Sequence, residues 1–371
     1  MIKMGHIFLS FLFFNIILFV FYNNYRKGHY YIKKTTLLLY TILLIAFGTY
    51  GTGEGDYLSS KKAVEMIQST IDILSFNGME IQYNYLAYYV DGNYTLWRLV
   101  IFSVQFIGMS YFLYKAKLNT YPVFLAFVAI CLLQYTYQRS YWGVIFYFIG
   151  LFLLIEKKNP LFLVVIGLCY FSHTQNVALL ALLPMGFIKL KSWHLIAIVP
   201  FLGLIAVYFK DYLLAIIDSG GIEDADYLNS KIHTYGEGGT NYFGSSAGEF
   251  LLFVFRYVPM VVVVLTWGKM ILTNKKMYNS LGISYRGIMN ITLGLVIAAV
   301  IVLSASSLGI GIIFYRVLAM ALFPLVLLLP YMVDKKMLKK RTFNKILLVY
   351  MFCSEYSYMK DLYYAYVSGT F

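Results

Sequence analysis

The chain has 371 residues, of which 60% are hydrophobic and 13% charged. Soluble domains carry about 25% charged residues, and half that share leaves too little polar surface to cover a water-soluble fold of this length. A soluble enzyme, a disordered regulator and a collagen-like fibre are therefore excluded; the formal charge of +13 matters through its placement more than its size.

A helix needs about 20 mostly apolar residues to cross roughly 30 Å of hydrocarbon, and lipid admits only elements that satisfy their own backbone hydrogen bonds. Taken in chain order, apolar runs between charge clusters predict helices at about 6–22, 35–50, 97–114, 121–137, 141–155, 160–172, 175–188, 194–209, 247–267, 287–304, 311–331 and 343–359. The expected fold is all-α: a polytopic integral membrane protein of about 12 transmembrane helices, forming a single membrane domain over 1–371. The first run lacks a small-residue cleavage site and is followed by Arg26, Lys27, Lys33 and Lys34, so it reads as a retained helix rather than a signal peptide. Two larger outer-face loops are expected, at about 51–96 and 210–246. In the first, Val64, Ile67, Ile71 and Leu74 recur at helical spacing and predict one amphipathic helix over Ala63–Phe76, lying on the bilayer surface or on the tops of the spans.

Orientation follows from Lys and Arg. Of the 30 basic residues, 20 fall in loops on one side of this arrangement, among them Lys115, Lys117, Lys157, Lys158, Lys335, Lys336, Lys339, Lys340 and Arg341. The acidic residues on that side are Glu156 and Asp334 alone. That side is expected to be cytoplasmic, which puts both termini outside. The cytoplasmic loops are short, so any reaction must use an outer-face or membrane-delivered substrate. The 36 tyrosines and 30 phenylalanines have two readings, interfacial aromatic belts and a codon-biased genome.

An ionisable side chain within a span costs about 2.5–3.5 kcal/mol on insertion scales, so each asks for a reason. Arg139 stands between two spans on the outer side, where its fork of donors suits a phosphate or carboxylate; snorkelling to lipid phosphates is the plainer reading. Arg316, in Tyr315-Arg316-Val317, lies in the outer third of a span and calls for a buried anionic partner. Arg256 is similar, with Glu249 two turns away on the same helical face as a structural ion-pair partner. His173, in Ser172-His173-Thr174-Gln175-Asn176, falls at a polar hinge between two apolar runs. A histidine there is a candidate general base or phosphate ligand, and equally a structural hydrogen-bonding group.

Other patterns carry less. Gly51-Thr52-Gly53-Glu54-Gly55-Asp56 precedes no βαβ unit and is not a dinucleotide fingerprint. Asp224-Ala225-Asp226 reads as a solvated acidic loop, and no metal site is expected. Cys131, Cys169 and Cys353 lie inside apolar runs, which suggests neither disulfides nor zinc.

With these residues in view, the chain resembles the EpsG-like family of bacterial membrane proteins, related to Wzy-type polysaccharide polymerases. The resemblance is carried by Gln138-Arg139, a Lys-rich turn at Glu156-Lys157-Lys158-Asn159, and Phe171-Ser172-His173. Further matches are Gly55-Asp56-Tyr57 followed by Glu80 and Tyr83-Asn84-Tyr85-Leu86, and Tyr315-Arg316 in a late helix ending in Pro330. Two departures stand out: the arginine that often precedes the Gly-Asp-Tyr element is replaced here by Gly48-Thr49-Tyr50, and Gln175 stands where a small residue usually follows the histidine.

The resemblance implies a glycosyltransferase that joins undecaprenyl-diphosphate-linked oligosaccharide repeat units at the outer face of the bacterial inner membrane, for exopolysaccharide, capsule or O-antigen. It implies no cofactor, no metal and no nucleic acid, with membrane lipids and a chain-length regulator as further partners. Arg139, Arg316 and Arg256 are the candidates for holding the leaving diphosphate. His173, with Asp56 in reserve, is the candidate catalytic group at the acceptor hydroxyl. Tyr57, Tyr83 and Tyr137 are candidates for stacking on sugars, against a plainer role as interfacial tyrosines. A flippase for the same lipid-linked sugar and a polysaccharide ligase remain open as alternatives.

Overall fold

The computed structural model describes residues 4–51, 56–75, 80–137, 142–173, 176–191, 247–273, 278–304 and 317–367. These are helical throughout, with no strand among the described residues; the β-type pairing seen is one isolated bridge between Tyr31 and Thr120. The expected span at 194–209 and the expected loop at 210–246 lie outside the described residues. The chain divides into two compact units, residues 1–180 with 325–371, and residues 181–324.

In the first unit, α1 (Met4–Arg26), α2 (Lys34–Tyr50) and α6 (Tyr94–Lys115) are apolar helices. Between α2 and α6 run three short ones, α3 (Asp56–Met66), α4 (Thr70–Ser75) and α5 (Ile81–Tyr89). A composite helix follows: α7 (Tyr121–Phe127), a π-helical turn at Val128–Leu132 and α8 (Leu133–Tyr137). Next come α9 (Val144–Lys157), α10 (Phe162–Ser172) and the start of α11 (Val177–Leu182). In the second unit are α12 (Ala247–Thr273) and α13 (Ile283–Ser304). The helix α14 (Leu322–Asp334) leads back into the first unit, which closes with α15 (Lys340–Val367).

Among the described residues, three helices are long and apolar enough to cross a membrane: Met4–Arg26, Tyr94–Lys115 and Val317–Asp334. Shorter apolar helices accompany them. The 11 residues of α10 rise only about 16 Å, and α11 gives way at Leu183–Gly186 to a 3-10 turn that begins where Pro184 removes a donor. The runs at 160–172 and 175–188 are thus too short to cross singly.

Large apolar side chains face outward along several helices. On α1, Phe8, Leu9, Leu12, Ile16 and Phe19 are exposed, while Ile7, Phe14, Ile17, Leu18 and Phe21 are buried. Soluble monomers rarely expose apolar patches of this extent, so lipid is the solvent for which this surface is built. By contrast α9 is covered on every side: each residue from Val144 to Leu153 is buried. It meets α10 closely because glycine faces the contact; a Cβ on Gly150 would lie 2.9 Å from Ile166 Cγ1, and one on Gly143 2.6 Å from Cys169 Cα. The approach of α2 to α6 rests likewise on Gly48, whose added Cβ would strike the Phe102 ring at 2.5 Å.

The basic loops of the first unit meet at one end. Ile32 N–H donates to Asn119 O at 2.9 Å and Tyr121 N–H to Tyr30 O at 2.9 Å, tying the α1–α2 loop to the α6–α7 loop. The Tyr30 hydroxyl donates to the Asp334 carboxylate, and Lys340 Nζ lies 5.0 Å from the centre of the Tyr25 ring. Burial and the neighbouring Asp334 carboxylate raise the Tyr30 phenol above its ordinary value. Gly28, in the left-handed region (φ 82°), lets the chain turn out of α1.

One expected helix is corrected. Ala63–Phe76 does not form a continuous helix: α3 stops at Met66 and α4 begins at Thr70. The Asp72 carboxylate accepts from Ser69 N–H (2.7 Å), Ser69 Oγ (2.9 Å) and Gln68 N–H (3.0 Å), so Ser69 and Asp72 cap a new helix start. Val64 and Ile67 of the first half and Ile73 of the second are buried while Ile71 is 75% exposed, so each half packs on its neighbouring helices with its own face.

Candidate functional site

The site forms at the end of the first unit opposite the basic loops. It begins with the way α10 stops. Ser172 Oγ donates to Cys169 O (2.7 Å), and Asn176 Nδ2 donates to Cys169 O (3.0 Å) and to Ser172 Oγ (3.1 Å). Asn176 N–H closes on His173 O at 2.9 Å, and from α5 the Tyr83 hydroxyl donates to Ser172 O at 3.0 Å. The carbonyls left over at this helix terminus are thus matched by fixed donors, and His173, the residue just past the helix in extended conformation, is held from both sides.

Opposite it stands Glu80. The residue immediately precedes α5, yet its carboxylate makes no capping bond to that helix. Its Oε1 lies 3.5 Å from His173 Nδ1, with the two side chains 14% and 15% exposed. A carboxylate beside Nδ1 favours the tautomer with the proton on Nδ1, which makes Nε2 the basic nitrogen and stabilises the imidazolium once Nε2 takes a proton.

The frame around the pair is aromatic. Trp97 Nε1–H donates to Tyr83 O at 3.1 Å, Trp142 Nε1–H to Tyr135 O at 2.7 Å, and Ile145 N–H to the Tyr135 hydroxyl at 2.7 Å. The Tyr83 ring meets Trp142 edge-on at 5.4 Å and Trp97 at 5.8 Å between centroids. Asn84 Nδ2 fixes α5 to α4 through Ile73 O at 3.0 Å. Buried ring contacts and satisfied donors of this kind fix geometry at low entropic cost. Tyr83, expected to stack on a sugar, is buried in this frame and acts on the end of α10 through its hydroxyl.

A buried cation lies on α6. Arg98 is 2% exposed, and its Nε donates to Gly48 O at 2.8 Å, with Nη2 directed at the same carbonyl. Its guanidinium sits 5.3 Å from the Phe102 ring centre and 5.7 Å from that of Tyr94. Gly48 is among the last four residues of α2, so Arg98 supplies positive charge to a helix C-terminus. It does so just before the Gly55-Asp56-Tyr57 element, where the family pattern often places an arginine and this chain does not.

The structure brings together only some of the predicted site residues. His173 and Tyr83 meet in one cluster. Asp56 opens α3, followed by Tyr57, and Tyr137 ends α8; the side chains of all three lie outside the described residues. So do Arg139 and Arg316. Arg256 is half-buried on α12 in the second unit, and the Glu249 side chain offered as its partner is outside the description. Sequence reasoning missed two residues. Glu80 is legible in the sequence only as part of a motif, and its tie to His173 runs across 93 positions that no local spacing reveals. Arg98 was detectable, because the rule that drew attention to Arg316 applies equally to an arginine one residue inside an apolar run.

An all-helical membrane protein with a carboxylate–imidazole pair framed at one helix end is the class that these features define. The family comparison matches the EpsG family over residues 33–369, nearly the whole chain, and the chain belongs to that family of Wzy-like polysaccharide polymerases. No curated protein and no solved structure matches it.

Proposed function

We propose that this chain is a polymerase that joins oligosaccharide repeat units carried on undecaprenyl diphosphate, with the Glu80–His173 pair as its acid–base centre. The observation that carries this reading is that pair: a histidine held by its own helix terminus and faced by a carboxylate. His173 Nε2 takes the proton of the acceptor hydroxyl. The freed oxygen attacks the anomeric carbon of the donor sugar, the bond from that carbon to the diphosphate oxygen breaks, and the electron pair leaves with the lipid diphosphate. Glu80 stabilises the imidazolium until its proton passes to solvent. Arg139, Arg316 and Arg256 are the proposed holders of the leaving diphosphate, with Asp56 a second candidate base and Tyr57 and Tyr137 candidate sugar contacts. In the first unit the basic loops gather at the end away from His173, which by the positive-inside rule supports an outer-face reaction in the inner membrane with both termini outside.

The test uses the purified full chain with lipid-linked repeat units. Wild type is expected to build a ladder of polymer, and His173→Ala and Glu80→Gln to leave single repeats. A normal ladder from a folded His173→Ala protein sinks the assignment. Inertness of the wild type until a different acceptor is supplied would make the chain a ligase, and accumulation of unflipped precursor on the inner leaflet of a deletion strain would make it a flippase.

A further inference from the structure

The helices α1 and α15 pack antiparallel. Near the basic end the Tyr25 hydroxyl donates to Asn344 Oδ1 at 3.3 Å, and farther along the Tyr358 ring lies 5.6 Å from Phe11 and 5.7 Å from Phe14 between centroids. Between these ties stands a polar pair. Asn15 Nδ2, which donates to Phe11 O at 3.0 Å, lies 3.4 Å from Glu355 Oε2. Asn15 is the middle residue of α1, so about 16 Å of helix separate it from either end, and the pair falls at mid-depth of the span. Both side chains are half-buried, at the border of the surface that meets lipid. On α1, exposed Phe8, Leu12 and Phe19 stand in line with Asn15 at steps of four, three and four residues. On α15, exposed Leu348, Phe352 and Met359 stand in line with Glu355 at the same steps, whereas Cys353 and Ser354 are buried, Ser354 toward Ala129 O of the π-helical turn. Each helix thus presents a heptad seam with one polar residue inside it.

A carboxyl group at this depth needs hydrogen-bond partners, and lipid tails offer none. Within the chain its contact is the long one from Asn15; Glu355 Oε1 and Asn15 Oδ1 receive no hydrogen bond among the described residues. The neutral form of a carboxylic acid, the form least costly in hydrocarbon, carries one O–H donor beside a carbonyl acceptor. Such a group is its own complement. Copies of one chain insert in one orientation, so a two-fold axis along the bilayer normal sets Glu355 of each copy at the depth of the other's and lays apolar seam on apolar seam. A partner of different sequence would have to carry a polar group at that same depth, whereas a second copy does so by symmetry. We propose that the α1–α15 face is a self-association surface, on which a second copy of this chain docks with the Asn15–Glu355 pairs of the two copies hydrogen-bonded to each other. A polar residue on an otherwise apolar seam holds neighbouring helices together and sets their register. The Glu80–His173 assignment plays no part in this surface.

The test measures self-association of the full chain in vesicles of phosphatidylethanolamine and phosphatidylglycerol, by energy transfer between donor- and acceptor-labelled copies as added lipid dilutes the protein. Wild type is expected to associate. Glu355→Gln is expected to match it, because an amide also carries both donor and acceptor. Glu355→Leu and Asn15→Leu are each expected to weaken association about tenfold with no fall in thermal midpoint. Placement is read separately by oxidative cross-linking in a chain that keeps the polar pair. At least one of Leu12→Cys and Phe352→Cys, which flank the pair, is expected to link two copies. Val104→Cys, 61% exposed on α6, is expected to link none, and the native cysteines are buried. Wild type that stays monomeric at every dilution overturns the proposal. So does association unchanged in both leucine variants, or cross-linking at Val104 in place of Leu12 and Phe352.

Discussion

The two ends of the first unit are built by different means. At the basic end, backbone hydrogen bonds between Ile32 and Asn119 and between Tyr121 and Tyr30 join the loops, together with side-chain bonds from Asn119 to Ile32 O and from Tyr30 to Asp334, and the lysines are exposed. At the other end, side chains make the joints: Tyr83 on Ser172, Trp97 on Tyr83, Trp142 on Tyr135 and Arg98 on Gly48. Backbone joints tolerate substitution, because any residue except proline supplies them. Side-chain joints fix identity as well as position. The contrast is that the backbone carries part of the joint at the basic end, whereas at the aromatic end the identity of the side chains fixes the geometry.

The sharpest break in that contrast is at the pair itself. His173→Ala should lower polymer formation about 10²- to 10⁴-fold, the usual weight of general acid–base catalysis, while Lys335→Ala at the opposite end leaves the rate unchanged; single-turnover assays on both decide it. Next in size is Gly143→Val. Even a Cβ there would come within 2.1 Å of Ser172 Oγ, so the helix pair must part, at about 1–3 kcal/mol, and His173 moves with it. The thermal midpoint and kcat should fall together, whereas an unchanged midpoint would show that the α9–α10 contact yields freely. Trp97→Phe keeps the ring and loses the bond to Tyr83 O, expected to cost ~1 kcal/mol, visible as a small midpoint shift in detergent. Tyr30→Phe, its counterpart at the basic end, should change stability by no more than ~0.5 kcal/mol and leave polymer length alone. The smallest effect is that of pH on Asp72, whose carboxyl is held below its ordinary value of 3.8 by the Ser69 hydroxyl and the Gln68 and Ser69 amides. A depressed folded-state pKa gives stability that is present above the unfolded value and lost as pH falls through the folded one. Acidification below about pH 4 should loosen the start of α4, and Asp72→Asn should flatten the acid limb of the melting curve.

Much of the fold could be read ahead of the structure because lipid imposes long apolar runs and the cations mark where they end. The helices at 4–26, 34–50, 94–115 and 340–367 contain or closely match the runs expected there. The interruption between α3 and α4 was not foreseen, because Val64, Ile67, Ile71 and Leu74 keep helical spacing across it; the Ser69–Asp72 cap outweighs the period. The site was legible by halves. His173 stands out as a polar residue between apolar runs, but Glu80 belongs to the 51–96 segment, where carboxylates are common, and nothing in its neighbourhood announces a distant partner. Arg98 went unnoticed for a different reason: it sits at a span edge, where an arginine is ordinarily free to reach water, and only folding shows it turned inward onto a carbonyl.

The π-helical turn at Val128–Leu132 has a consequence for how this sequence can change. A widened turn of that sort accommodates one residue more than regular winding, and each residue advances an α-helix by about 100°. The residues that follow it in α8, Tyr135 among them, owe their bearing to that surplus. Removing a single amino acid from this stretch would restore uniform winding and swing the Tyr135 hydroxyl off Ile145, so the segment tolerates exchange of side chains far better than any loss in length.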